Sequence, residues 1–136
     1  MLLPTLEVTT HRKAELVDIT DRVKSALAAS QVEEGLILVY SPHTTAGITL
    51  QENADPDVKR DLLLALENAV GNEAVQNGYH HSEGNSDAHV KTVITGASQL
   101  IPFSSGRLLL GTWQAIYLCE FDGPRTRQVM LHVMAG

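Results

Sequence analysis

Four strand-like segments crowd the last third of the chain, at 98–103, 106–111, 113–122 and 126–134, and they limit the fold more than any other feature. Ser104-Ser105-Gly106 turns the first pair and Asp122-Gly123-Pro124 turns the last, because glycine, proline and short polar side chains suit tight backbone geometry. Upstream, LPTLEVTT (3–10) predicts an opening strand, and AGITLQ (46–51) has the β-branched character of another. LILVY (36–40) is an unbroken apolar run and predicts a central strand.

Three helices separate these segments. Thr20 is an expected N-cap for a helix that packs Val23, Ala26 and Leu27 and ends near Ser30. Asp55-Pro56 supplies an acceptor at the cap and proline in the first turn, and Val58, Leu62, Leu66 and Val70 then recur every fourth residue up to Gly71-Asn72. A shorter helix, capped at both ends, is expected from Ser86 or Asp87 to Gly96. Residues 71–86 form a long polar loop, a length that marks disorder or function in a small domain. About seven strands and three helices, with the strands gathered at one end, predict an α+β fold around a largely antiparallel sheet in a single domain, 1–136.

Composition narrows the function. Sixteen acidic against ten basic residues give a net charge of −6, which disfavours nucleic acid and anionic membranes as partners. No apolar stretch approaches the roughly 18 residues of a membrane span, and the apolar start is too short for a signal peptide, so a cytoplasmic protein is expected. A lone Cys119 excludes an internal disulfide and reads as a small core residue. Trp113 is expected to be buried.

Six histidines carry the chemical interest. His43 sits in a strand break, His81 in the polar loop and His89 in the first turns of the helix that follows; Glu83 and Asp87 lie beside them. Neutral imidazoles ligate metals and also transfer protons near neutral pH, and adjacent carboxylates can ligate too or fix a tautomer. The plain alternative is that the loop histidines are solvated and His89 fills a hydrogen-bonded surface position. Anion binding is a second theme: Gly84-Asn85-Ser86 leads into a helix start, Thr44, Thr45 and Gly47 offer hydroxyls and open backbone, and Lys91 and Arg107 are among the few basic residues of the second half. No Walker loop or dinucleotide fingerprint is present.

Taken together, SPHTTAGITLQENADP (41–56), YHHSEGNSDAHVK (79–91) and SGRLLLGTWQAIYLCEFDGPR (105–125) resemble the YjbQ family, also called secondary thiamine-phosphate synthase. The resemblance covers nearly the whole chain. It implies an α+β domain with a β-sandwich-like core, assembled as a homotrimer with ligand and metal positions near subunit boundaries. Position by position, it implies roles for His43, His81 and His89, for Glu52, Asn53, Glu83 and Asn85, and for Lys91, Gly111, Thr112, Trp113 and Gln114. No role follows for His80, where some relatives carry glutamate.

The expected site therefore has His43, His81, His89 and Glu83 as catalytic groups and the three histidines as metal ligands. Thr44, Thr45, Asn85, Lys91, Arg107 and Thr112 are its expected substrate contacts. The implied reaction joins a pyrimidine methyl diphosphate to a thiazole phosphate, giving thiamine phosphate and diphosphate. Imidazole ligands favour zinc, while a diphosphate favours magnesium. Aromatic residues make up only 4% of the chain, which leaves little platform for two rings and points to a secondary activity. The alternative of a different class is a non-catalytic metal or small-anion binding module with a regulatory or storage role.

Overall fold

The structure is a computed structural model and describes residues 1–71 and 78–136. Among these the chain forms β1 (Leu6–Thr9), β2 (Glu15–Asp18), α1 (Thr20–Ser30), β3 (Gly35–Tyr40), β4 (Ala46–Glu52), α2 (Pro56–Val70), α3 (Ser86–Thr95), β5 (Ser98–Ser104), β6 (Arg107–Leu108), β7 (Gln114–Glu120) and β8 (Thr126–Ala135). The strands make two sheets, ordered β1-β8-β3-β5-β6 and β2-β7-β4, in which every neighbouring pair is antiparallel. The α+β expectation holds, and β3 is central, as its apolar run predicts.

β7 explains the layering. Its even-numbered Ile116 and Leu118 face Ile37, Val39, Phe103, Leu131 and Val133 of the larger sheet, together with Val23 and Leu27 of α1. Its odd-numbered Ala115, Tyr117 and Cys119 form a second cluster with Phe121, Ala88 of α3, and Leu63 and Leu66 of α2. Strand side chains alternate between faces, so a strand covered on both sides is buried at every position. From Ala115 to Glu120 β7 is buried throughout.

Several local expectations change. The strand β2 is an addition; its four residues are too few to show a period. Thr20 does not cap α1: Ile19 is the cap residue, and the Thr20 hydroxyl instead accepts the Ile116 amide of β7 at 2.8 Å. Asp55 does cap α2, accepting the Asp57 amide at 2.9 Å. Asn85, the cap residue of α3, makes no side-chain cap bond. Ser105 and Gly106 turn β5 into β6 with φ of 53° and 71°, the positive pair a two-residue hairpin requires. β6, however, keeps only two residues of the expected 106–111. The Asp122-Gly123-Pro124 turn joins strands of different sheets, so β7 and β8 do not pair. Of the polar loop, 72–77 lie outside the described residues, including the Asn72 end of α2.

Two glycines are fixed by close approach. A Cβ on Gly47 would lie 2.5 Å from the Gly96 carbonyl oxygen, which accepts the Ile48 amide and ties the end of α3 to β4. A Cβ on Gly123 would lie 2.2 Å from the Arg12 carbonyl oxygen, where the sheet-crossing turn meets the 10–14 segment. Both hold the ends of elements that frame one cleft.

Candidate functional site

At one end of the sandwich the β3–β4 loop, the β7–β8 turn and the start of α3 surround a cleft of about 390 Å3. His43, Thr44, Thr45, His81, Glu83, Asn85, His89, Asp122, Arg125 and Arg127 line it, with Pro42 at the rim. Three histidines from remote stretches of sequence thus meet, together with four more of the expected residues.

The loop bearing His43 is closed on itself. Ser41 donates its hydroxyl to the Ala46 carbonyl at 2.7 Å and accepts the His43 amide at 3.3 Å. The His43 Nε2 accepts the main-chain amide of Gln128 in β8 at 2.8 Å. Burial and the nearby Arg127 guanidinium lower the pKa of His43 below the ordinary histidine value, against the pull of Glu120.

Beneath the cleft lies a buried ion pair. Arg127 donates Nε to Glu120 Oε1 at 2.8 Å and Nη2 to both Glu120 Oε2 and the Thr45 hydroxyl. Glu120 also accepts the Thr10 hydroxyl at 2.7 Å and the Asp122 amide at 3.0 Å. Burial alone would raise its pKa, but these donors outweigh it and hold the carboxyl below its usual range. Asp122 is similar: burial raises it, and the Asn85 amide at 2.8 Å and Arg125 Nη2 at 2.7 Å bring it down.

The sequence reading missed Arg125, Arg127, Glu120 and Asp122. A signal for Arg127 exists, since it shares the inward parity of Val129, Leu131 and Val133 along β8.

On the opposite wall, the His81 and His89 rings meet edge to face with centroids 5.4 Å apart, and Glu83 Oε2 stands 3.9 Å from His81 Nε2. Two imidazoles sharing a tetrahedral ion hold their ring centres about 5 Å apart, so the spacing fits a divalent cation. It fits a bare edge-to-face contact too. Among the described residues no three His, Cys, Asp or Glu groups converge closely enough to hold an ion. His43 stands apart from the pair in one respect: its Nε2 is already taken by the Gln128 amide.

Other expected residues lie elsewhere. Lys91 is buried beside Glu67, at 2.8 Å, and Asp87, at 3.5 Å, so its charge is spent within the fold. Arg107 lies on β6 next to Lys24 and Leu27 of α1. Thr112, Trp113 and Gln114 line a different cleft, with Asp18, Asp21 and Asn53, at the far end of β7, about 20 Å from Glu120 at the rise of a strand. Trp113 is 63% exposed there, contrary to the buried role expected of it. Glu52 accepts the Tyr117 hydroxyl on its main-chain oxygen at 3.2 Å, near the same end. Cys119 is buried, and burial pushes its thiol up to about 12, so it carries no thiolate chemistry.

Fold and cleft define a two-sheet α+β domain with an imidazole- and guanidinium-lined pocket at one end. The chain belongs to the UPF0047 YjbQ-like family, whose model matches residues 4–136. It is 47% identical to UPF0047 protein YugU of Bacillus subtilis, over 98% of this chain and 99% of that one. It is 45% identical to a UPF0047 protein of Methanocaldococcus jannaschii, over 94% and 91%. Among solved structures, an uncharacterized conserved YjbQ/UPF0047 protein from Clostridium acetobutylicum superposes with a TM-score of 0.92 at 46% identity, covering 96% of this chain and 99% of that one. A hypothetical protein from Aeropyrum pernix gives the same TM-score at 34% identity, with full coverage of both chains.

Proposed function

We propose that the His43 cleft binds a phosphorylated small molecule together with a divalent cation and transfers a group from it, with thiamine-phosphate synthesis as the named reaction. The observation that carries this reading is the meeting of His43, His81, His89, Arg125 and Asn85 in one cleft.

Charge explains why a cation belongs to it. Arg127 is matched by Glu120 and Arg125 by Asp122, so neither guanidinium has an unmatched charge for a diphosphate, and Glu83 adds a negative one. A divalent ion would supply the missing positive charge at the developing diphosphate. The His81–His89 pair would hold it, with ligand oxygens completing its shell, and the imidazoles favour zinc; magnesium would rely on phosphate oxygens.

In the reaction the bond between the pyrimidine methylene carbon and the diphosphate oxygen breaks, and its electron pair leaves with the diphosphate. The thiazole nitrogen then gives its lone pair to that carbon. The residues of this chain would orient the two reactants and stabilise the leaving oxygen. Thr44, exposed on the β3–β4 loop, and Arg125 are the remaining polar groups within reach of a ligand.

Release of diphosphate from the two thiamine precursors tests the reading. His43→Ala, His81→Ala and His89→Ala should each lower turnover, by on the order of 100-fold where a donor to developing charge is lost. Full activity in all three variants would end this assignment.

A non-catalytic metal or anion binding module is the second reading. It is favoured by the pairing of both arginines and the occupied Nε2 of His43, which leave no evident base. Stoichiometric metal in untagged protein without turnover on either precursor would select it.

We place the protein in the cytoplasm as a homotrimer with clefts near subunit boundaries; among the described residues no helix is long and apolar enough to cross a membrane. The outer face of the larger sheet supports self-association. Leu36, Pro102 and Met134 form one cross-strand row, and Leu38, Leu100 and His132 the next; Leu36, Leu100 and Met134 are exposed. Sedimentation at three times the chain mass is the expected result, and at the mass of a single chain the contrary one.

A further inference from the structure

β3 pairs with β8 from Gly35–Ala135 to Tyr40–Met130, and there the ladder ends. Continued in register, it would set Pro42 opposite Gln128, but the chain parts from β8 there, the Ser41 amide keeping only its bond to the Ala97 carbonyl on the β5 side, at 2.8 Å. The Gln128 amide donates to His43 Nε2 instead, at 2.8 Å. The imidazole thus takes the place of a missing strand and satisfies a main-chain donor that the fold would otherwise leave open.

This has a chemical consequence. A ring nitrogen that accepts an N–H carries no proton, so the proton of the neutral imidazole sits on Nδ1. A main-chain amide can only donate, so it cannot adapt to the other tautomer as a hydroxyl or a carboxyl could. Among the described residues no protein group pairs with Nδ1.

We propose that His43 serves the cleft as a fixed, neutral Nδ1–H donor to an anionic oxygen of the ligand, and neither ligates the cation nor acts as the base. The inference rests on the reading of the cleft as a phosphorylated-ligand site. A cation on Nε2 would have to displace the Gln128 amide, and one on Nδ1 would have to displace the only ring proton. The cleft then divides in function: His43 beside Arg125 receives the anion, and the His81–His89 pair receives the cation. Burial and Arg127, which lower the pKa of His43, keep the neutral form in place through neutral pH.

Two-bond proton–nitrogen NMR spectra of the uniformly 15N-labelled protein read the tautomer directly, because protonated and bare ring nitrogens resonate far apart. His43 should show a protonated Nδ1 and a bare Nε2, unchanged by zinc, while zinc shifts His81 and His89. Inorganic diphosphate should then shift the His43 Nδ1–H resonance. A protonated or zinc-shifted Nε2 overturns the inference; if diphosphate still binds, the wider reading of the cleft survives it. Diphosphate that binds without moving His43 overturns the donor role alone. A correct tautomer in a cleft that binds no diphosphate, with or without zinc, overturns the phosphorylated-ligand reading and the donor role with it.

Discussion

The two ends of β7 carry family-like motifs of equal prominence in the sequence and use them differently. At the Trp113 end a local turn sits on β4, whose following Asn53 donates its amide to the Trp113 carbonyl at 2.9 Å. The Gln114 side chain accepts the Gly111 amide at 2.8 Å, the Gln114 amide returns to the Gly111 carbonyl at 3.1 Å, and the indole projects into solvent. At the Glu120 end the bonds span the chain: Thr10 reaches Glu120, Arg127 reaches Thr45, and Gln128 reaches His43. What separates the ends is the kind of group they gather: imidazoles and guanidiniums line the cleft at the Glu120 end, and a turn with an exposed indole lines the one at the other. The Glu120 end is therefore the one we propose to take the ligand.

The largest difference should come from Glu120→Ala. It leaves the Arg127 guanidinium buried and uncompensated, and such a loss costs about 3–5 kcal/mol. Urea denaturation measures it, and a loss below 1 kcal/mol would mean that water reaches the pair. Replacing both partners with apolar residues of similar size should recover most of the stability, because the buried pair itself contributes little net.

Acid should act at the same end. Glu120 and Asp122 have pKa values below their unfolded ones, so the unfolded chain binds more protons as pH falls, and their stabilisation, full above the ordinary carboxylate range, is lost below it. The lowered pKa of His43 has the same sign, with its loss beginning as pH falls below about 6.5, the ordinary histidine value. Denaturation midpoints across pH should fall on acidification, and Glu120→Gln should flatten the carboxylate part of the profile. A profile that stays flat to pH 3 would contradict these assignments.

Smaller effects mark the Trp113 half. Asp55→Ala, which removes the cap of α2, should cost about 1 kcal/mol. Trp113→Ala should change stability by about 0.5 kcal/mol or less, as an exposed side chain allows, and should leave diphosphate binding at the His43 cleft intact. A large loss of stability on removing that indole would place a packing partner on it and bring the two ends closer in kind.

Much of the fold was legible in the sequence. Turn residues, the apolar run of β3 and the Asp55-Pro56 start fixed most elements, and the family-like segments singled out His43, His81 and His89, which line one cleft. The rest depended on tertiary context. The Asp122-Gly123-Pro124 turn has the same chemistry whether it closes a hairpin or crosses between sheets. Trp113 reads as core by type, and only the turn at Gly111–Gln114 sends it outward. Lys91 reads as a free cation, although Asp87 four residues earlier on the same helix face already offered a partner. Glu120 and Arg127 belong to no motif of their own, and only the packing of β7 against β8 brings them face to face.

We propose that ligand chemistry belongs to the His43 cleft. Crystals soaked with zinc, then with inorganic diphosphate, test it most directly through the anomalous signal of the metal. Zinc should lie against His81 and His89, and diphosphate within hydrogen-bond reach of His43 and Arg125. Both species lodged beside Trp113 with the His43 cleft left empty would contradict it.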